Sequence, residues 1–306
     1  MNSILCTTSS FGIFAAHVFD ILKEKGFQTI TNPYNRKITE DELIELLDQY
    51  HPIGLLAGTE PITRAVLEQS KDYLKIISRV GVGWDNVDRK TAGELGILVY
   101  RTEGILNQAV AELTLGFILS SLRNIVHQDK EIRRGIWKKK MGGLLTGKTV
   151  GIIGFGSIGE RVGELLNAFG SNVIFFDPAP KKCPWAESVS IHELLKKADV
   201  ITLHTSGTNR ILGEKEIYNL CKKGVIIVNM ARGGLIDEEA LYKALQDGHV
   251  SYACLDVFEN EPYNGHLIEI ENVILTPHIG SYAREARIQM EEMAVENLFR
   301  GMAVLS

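Results

Sequence analysis

Short apolar runs alternate with segments of helical period along nearly the whole chain. SILCTT (3–8), PIGLLAG (52–58), LKIISRVG (74–81) and ILVY (97–100) are compact, mostly apolar stretches of the length expected for buried strands. Between them VFDILKEKG (18–26) and EDELIELLDQY (40–50) repeat apolar positions at three- and four-residue spacing, which predicts helices. Strands separated by helices predict parallel α/β units, because two parallel strands can be joined only by a long crossover.

From Asn107 the pattern changes. NQAVAELTLGFILSSLRNIVHQDKEIRRGIW places Val110, Leu113, Phe117, Leu122 and Ile125 near helical-turn spacing and predicts one long helix, with Gly116 as its early weak point. Strand patterns then resume at TVGIIGFG (149–156), NVIFFD (172–177), ADVITLH (198–204), GVIIVNM (224–230), SYACLDVF (251–258) and ENVILTPH (271–278). Six strands with intervening helices suffice for a doubly wound nucleotide-binding sheet. The final YAREARIQMEEMAVENLFRGM again reads as helix and is expected to return to the first domain, making that domain discontinuous. The expected division is 1–101 plus 284–306 for one domain and 102–283 for the other.

Composition adds little to this picture but removes several function classes. With 306 residues the chain is long for one core and suited to two domains. A net charge of −5, with no Lys/Arg stripe interleaved with aromatics, argues against nucleic acid as a partner. Cys6, Cys183, Cys221 and Cys254 form no C-x-x-C pair, which fits a reducing cytoplasm rather than a disulfide framework or a zinc site. The opening MNSILCTTSSFG has no signal-peptide pattern, and no apolar stretch approaches a membrane span, so a cytoplasmic protein is expected.

Chemistry enters at GFGSIG (154–159), a G-x-G-x-x-G that a strand enters and a helix leaves. Gly154 permits the tight turn, Gly156 lets backbone approach a pyrophosphate, and Gly159 allows close packing of helix on strand. The helix N-terminus offers N–H donors and a favourable dipole to the anion. The next strand ends at Asp177, eighteen residues after Gly159. A carboxylate there accepts from ribose hydroxyls and repels a 2′-phosphate, favouring NAD over NADP, although Lys181 and Lys182 follow closely.

VIIVNMARGGLID (225–237) delivers a buried strand straight to Arg232, a charge set where ligands of such sheets bind. SYACLDVF runs out to Glu261 and NVILT to His278, so three polar groups follow three strands. Taken singly, each is commonly structural. Together they suit hydride transfer on an alcohol or carbonyl beside a carboxylate. His278 moves the hydroxyl proton, Glu261 fixes its tautomer and favours the imidazolium, and Arg232 offers a planar fork to the acid group. A metal held by His278, Glu261 and Asp256 is the other reading of these groups, but their spacing matches no recognised metal pattern.

GKTVGIIGFGSIG, NMARGGLIDEEAL, LDVFENEP and TPHIG, in this order, resemble the D-isomer-specific 2-hydroxyacid dehydrogenases, with the 3-phosphoglycerate dehydrogenase branch nearest. The resemblance covers almost the whole chain. It implies a Rossmann NAD-binding domain and a discontinuous flavodoxin-like substrate-binding domain around a cleft, joined by two hinge helices. Arg232 would clamp the substrate, and His278 would act as acid and base with Glu261 as its partner. Ser157 and Ile158 would meet the pyrophosphate, Asp256 would lie near the nicotinamide amide, and Thr205, Met230, Ala231 and Gly280 would also line the cofactor. Backbone N–H groups of Val82 and Gly83, in RVGVGWDNVD (79–88), would hold the substrate carboxylate. A homodimer through the cofactor domain is implied, with RRGIWKKKMGGLL (133–145) contributing. Because the chain stops after the second hinge helix, no serine-binding regulatory domain is expected.

Departures from the family pattern bear on the substrate. In LLAGTEPIT (55–63), Ala57 and Gly58 stand where many phosphoglycerate enzymes carry a phosphate-binding arginine, leaving Arg79, Arg101 or a lysine of a second copy's 138–140 run for that task. Ser206 replaces the usual Pro after His-Thr, and Gly280-Ser281 replaces Gly-Gly. The expectation is oxidation of 3-phosphoglycerate, with glyoxylate or hydroxypyruvate reduction as the alternative. Formate dehydrogenase is set aside because that branch has Gln at the position of Glu261. An NAD-sensing co-repressor of the same family would keep the same trio and is the contrasting, non-enzymatic reading.

Overall fold

The computed structural model describes residues 2–207 and 209–305. By its internal contacts the chain divides into two compact units, Met1–Leu106 with Ser281–Ser306, and Asn107–Gly280.

The first unit begins with β1 (Ser3–Cys6), α1 (His17–Glu24), β2 (Gln28–Thr31), α2 (Glu40–Tyr50) and β3 (Gly54–Ala57). It continues with α3 (Arg64–Ser70), β4 (Ile76–Arg79), α4 (Arg89–Glu94) and β5 (Leu98–Arg101). Its sheet is parallel with the order β2-β1-β3-β4-β5, the flavodoxin-like arrangement. SILC and GLLA are buried at every residue because strands covered by helices on both faces have no polar side. β2 was not expected from the sequence. It lies at the sheet edge with QTIT half exposed, so it lacks the continuous apolar run that marks the others. α2 starts on a capping box, with Thr39 accepting from the Glu42 N–H and Glu42 accepting from the Thr39 N–H, which fixes its first residue.

α5 (Leu106–Arg123) and α6 (Ile125–Arg133) carry the chain into the second unit. The single long helix expected here is in fact two, bent by 62°. The break is at Asn124, which adopts the left-handed conformation (φ 52°, ψ 36°), while Gly116 stays helical. Asparagine tolerates that region better than any other residue of this segment except glycine. The side chain of Asn124 also donates to the Met141 carbonyl, and the Gly143 N–H caps the Leu122 carbonyl.

β6 (Thr149–Ile153), α7 (Ser157–Ala168), β7 (Asn172–Phe176), β8 (Glu187–Ser188), α8 (Ile191–Lys197) and β9 (Val200–Leu203) follow. α9 (Glu214–Asn219), β10 (Val225–Asn229), α10 (Glu238–Gln246), β11 (Val250–Leu255) and β12 (Val273–Leu275) complete this unit, and α11 (Arg284–Leu305) belongs to the first. The second sheet is parallel with the order β12-β11-β10-β9-β6-β7-β8. That is a doubly wound Rossmann sheet, reversing direction between β6 and β9. It has one strand more than the six expected: β8 is two exposed residues, too short and polar to show as a pattern.

Candidate active site

The strand register sets the site. Phe176, Ile153, Leu203, Asn229, Leu255 and Leu275 are paired neighbour to neighbour and form one row across the second sheet. At about 4.8 Å per strand the row is a straight ruler along the carboxyl edge. Immediately beyond it come Asp177, Gly154, His204, Met230, Asp256 and Thr276 in the same order. Arg232 and His278 each lie three residues past their row positions, and Glu261 six past its own. This edge of a doubly wound sheet is where its ligands bind.

Around the reversal point, β6 turns through Gly154 (φ 90°) and enters α7 at Gly156, an N-cap without a side-chain partner. A Cβ on Gly159 would stand 2.1 Å from the Gly154 carbonyl oxygen, so the helix can approach the strand only as glycine. Nothing lies within 4 Å of where a Cβ of Gly156 would be, which leaves that backbone open to a ligand. Ser157 is exposed, Ile158 is half-buried, and the Ser157 hydroxyl donates to Asn107 Oδ1 at 3.2 Å. Asp177 accepts from the Phe155 N–H at 2.8 Å and the Ala179 N–H at 2.9 Å, one bond on each oxygen. Each oxygen keeps a lone pair for a ribose hydroxyl. The Lys181 ammonium donates to the Phe155 carbonyl, so carboxylate and ammonium grip the two sides of one loop residue. An uncapped helix N-terminus beside an anchored carboxylate fits an adenine dinucleotide.

The two glycines after Arg232 have a packing reason. A Cβ on Gly233 would lie 1.8 Å from the Phe258 carbonyl oxygen, so the turn after β10 and the loop after β11 touch backbone to backbone. Gly234 then takes φ 79°. The turn is braced from within by Asn229, whose Nδ2 donates to the Arg232 carbonyl (2.9 Å) and whose Oδ1 accepts from the Ala231 N–H (3.1 Å). Arg232 itself is half-buried, with Nη1 on the Ala231 carbonyl at 2.8 Å.

On the neighbouring ends, Glu261 Oε2 lies 3.2 Å from His278 Nδ1, and Glu261 Oε1 accepts from the Phe258 N–H at 3.2 Å. The carboxylate is thereby held facing the ring and keeps the proton on Nδ1, which directs Nε2 away from Glu261. His278 has φ 55°, an unusual backbone for a residue with a side chain. Asp256, 2% exposed, holds that turn: Oδ1 accepts from the Thr276 hydroxyl (2.5 Å) and the Ile279 N–H (2.7 Å), and Oδ2 from the Gly280 N–H (2.7 Å). Its carboxylate is thus engaged with the polypeptide that carries His278. Met230 and Ala231 are buried, and Thr205 is half-buried beside His204.

Three residues of this edge were not singled out by sequence. Asn229 was visible only as the polar break in VIIVN. Lys181 was noted as a nearby charge, without its bond to the phosphate loop. His204 Nε2 pairs with the Thr202 hydroxyl at 2.8 Å, and burial of the ring pushes it down to about 3. Its backbone underlies Gly154, where a Cβ would meet the His204 carbonyl carbon at 2.7 Å.

Val82 and Gly83 belong to the first unit, on the loop after β4. Among the described residues neither of their N–H groups bonds within the chain. Asn86 ties this loop down by donating to the Glu60 carbonyl at 2.6 Å.

Residues 115–280 match the family model for the D-isomer specific 2-hydroxyacid dehydrogenase NAD binding domain. The chain is 38% identical over 306 residues to a hydroxypyruvate reductase of Thermotoga maritima, covering 95% of this chain and 99% of that one. It is 44% identical over 261 residues to a D-3-phosphoglycerate dehydrogenase of Methanocaldococcus jannaschii, covering 82% of this chain but only 49% of the relative's length. A crystal structure of a Thermus thermophilus protein superimposes with a TM-score of 0.91 at 36% identity, covering 98% of this chain and 97% of the other.

Proposed function

The chain belongs to the D-isomer-specific 2-hydroxyacid dehydrogenases, and from that premise we propose that it reduces a small 2-oxo acid with NADH, hydroxypyruvate or glyoxylate before a phosphorylated one. The carrying observation is the His278–Glu261 pair, set on the chain after β12 and β11, with β11 beside the strand that leads to Arg232. When bound, NAD(H) supplies or accepts the hydride. Arg232 offers two parallel N–H donors to a carboxylate. In the first unit, the N–H groups of Val82 and Gly83 are the donors expected to hold the substrate carboxylate. His278, as imidazolium, donates its Nε2 proton to the carbonyl oxygen during reduction and takes it back during oxidation. Glu261 keeps the ring oriented and offsets its positive charge. Asp256 holds the backbone turn from which the ring projects.

The end of β3 supports the unphosphorylated substrate. Ala57 presents no cation there, and the Gly58 N–H and Thr7 hydroxyl both donate to Glu60, a carboxyl that burial holds above its usual range. An anionic phosphate gains nothing beside it. Oxidation of 3-phosphoglycerate is the second reading, favoured by the 44% identity to a dehydrogenase of that name.

A homodimer through the cofactor domain belongs to the same proposal. α6 buries none of its residues, and the segment after it exposes Trp137 (86%) and Met141 (93%), side chains that association would cover. The test of function is NADH oxidation followed by nicotinamide absorbance, with glyoxylate, hydroxypyruvate, 3-phosphohydroxypyruvate and pyruvate in parallel. Turnover of hydroxypyruvate or glyoxylate above the phosphorylated acid is expected. The reverse order would establish the second reading, and no turnover with any of them would remove both.

A further inference from the structure

In the first sheet, Ala57, Arg79 and Arg101 are paired neighbour to neighbour at the ends of β3, β4 and β5. Arg79 folds back on its own turn, with Nη1 on the Val80 carbonyl at 2.5 Å and the guanidinium filling the space beside Gly81. Arg101 reaches the 82–84 loop instead. Its Nη1 donates to the Val82 carbonyl at 3.3 Å, and its guanidinium carbon stands 4.0 Å from the centroid of the Trp84 ring. The guanidinium of Arg89 stands 4.1 Å from the same centroid. Both cations therefore lie against the Trp84 ring. The backbone of Arg101 is fixed as well, since Asn297 Nδ2 donates to its carbonyl at 3.1 Å. Arg101 is therefore a held cation, bonded to the loop that carries Val82 and Gly83.

Its remaining donors do not face solvent alone. Nε, at 2.5 Å, and Nη2 both donate to one oxygen of Glu103, two residues further along. The arginine side chain is 28% exposed and the glutamate 64%. An ion pair as open as this adds little to stability, so stability is a weak reason for it. Its local effect is to put a carboxylate on the arginine that donates to the Val82 carbonyl.

We propose that Glu103 is a specificity-determining residue, its carboxylate filling the anion seat on Arg101 and so turning the enzyme away from 2-oxo acids that carry a second anionic group, phosphate esters above all. This rests on the reading that Val82 and Gly83 hold the substrate carboxylate. Selection works by repulsion: a phosphate directed at Arg101 must displace Glu103 or lie against it. A neutral hydroxymethyl group, as in hydroxypyruvate, meets no such conflict.

Hydroxypyruvate and 3-phosphohydroxypyruvate differ only by the phosphate, so the ratio of their kcat/KM values isolates this term. The ratio is measured with NADH for the wild type, Glu103→Gln, Arg101→Met and the double variant, with thermal unfolding of each to confirm folding. Glu103→Gln is expected to raise the phosphorylated-to-unphosphorylated ratio by about tenfold or more, chiefly through KM, as removal of a like charge should. Adding Arg101→Met should abolish that gain. An unchanged ratio in Glu103→Gln, or a gain that survives loss of Arg101, overturns the proposal while leaving the proposed function standing. A wild type that oxidises NADH with neither acid removes the functional reading and this one with it.

Discussion

His278 combines a ring that must be aimed with a backbone conformation that side chains disfavour, φ 55°. Asp256 stabilises that conformation through three hydrogen bonds to residues 276–280. Asp256→Asn exchanges one acceptor oxygen for a donor that faces an N–H or a hydroxyl. It should cost about 1–3 kcal/mol in urea unfolding and lower kcat more than it raises KM. His204 makes a different prediction. Burial takes its imidazole to about 3, against an ordinary 6.5, so the native state keeps it neutral while the unfolded chain protonates. Its contribution is complete above 6.5 and is lost as pH falls from there towards 3, by a few kcal/mol (on the order of 3, allowing for partial exposure of the residue). His204→Asn should therefore lose less stability than the wild type between about pH 7 and pH 5. Equal losses would mean the ring is solvated. The residue types of this edge were legible in the sequence because Arg, Glu and His follow soon after otherwise apolar strands. Asn229 and Asp256 were harder to read: their work is to bond backbone, and a sequence does not show which N–H groups converge on a side chain.

Strands were legible where they form apolar runs. β1, β3, β9 and β10 are such runs because helices cover both faces, and the edge strands β5 and β12 still carry one, whereas β2 and β8 lie at sheet edges with polar or exposed residues. α2 was readable from its apolar spacing, and the structure starts it on a capping box, so Thr39→Ala should cost about 1 kcal/mol of stability by thermal or urea unfolding. The α5–α6 bend escaped because helical period continues across Asn124; only the left-handed backbone at that residue marks the break. The turn after β10 is the most constrained element of the site. With the Phe258 carbonyl 1.8 Å from where a Cβ would stand, Gly233→Ala must push two loops apart. A loss of about 1–3 kcal/mol is expected, together with a fall in kcat/KM, as the Arg232 and Glu261 loops separate. Unaltered activity in that variant would show that the two loops are not positioned by this contact.

Across the whole molecule, the two sheets differ in what they hold at their carboxyl edges. The Rossmann sheet lines up the phosphate loop, Asp177, Arg232, Glu261 and His278; the flavodoxin-like sheet presents the 82–84 loop with its tethered Arg101. The parallel α/β class followed from counting α/β units, but strand order and side-chain commitments such as Arg101 to Glu103 depend on packing and rotamers that no pattern encodes. Exposed Trp137 and Met141 lead to an association prediction: light scattering should give a mass near twice 34.0 kDa, and Trp137→Glu should shift it towards the monomer. The central claim is that His278 transfers the substrate proton while the dinucleotide binds elsewhere on the same edge. Its most direct measurement is NADH binding by fluorescence alongside steady-state reduction of hydroxypyruvate in His278→Gln. The account predicts a fall in kcat of about 10²–10⁴-fold with the NADH Kd nearly unchanged; a variant that keeps wild-type turnover would contradict it.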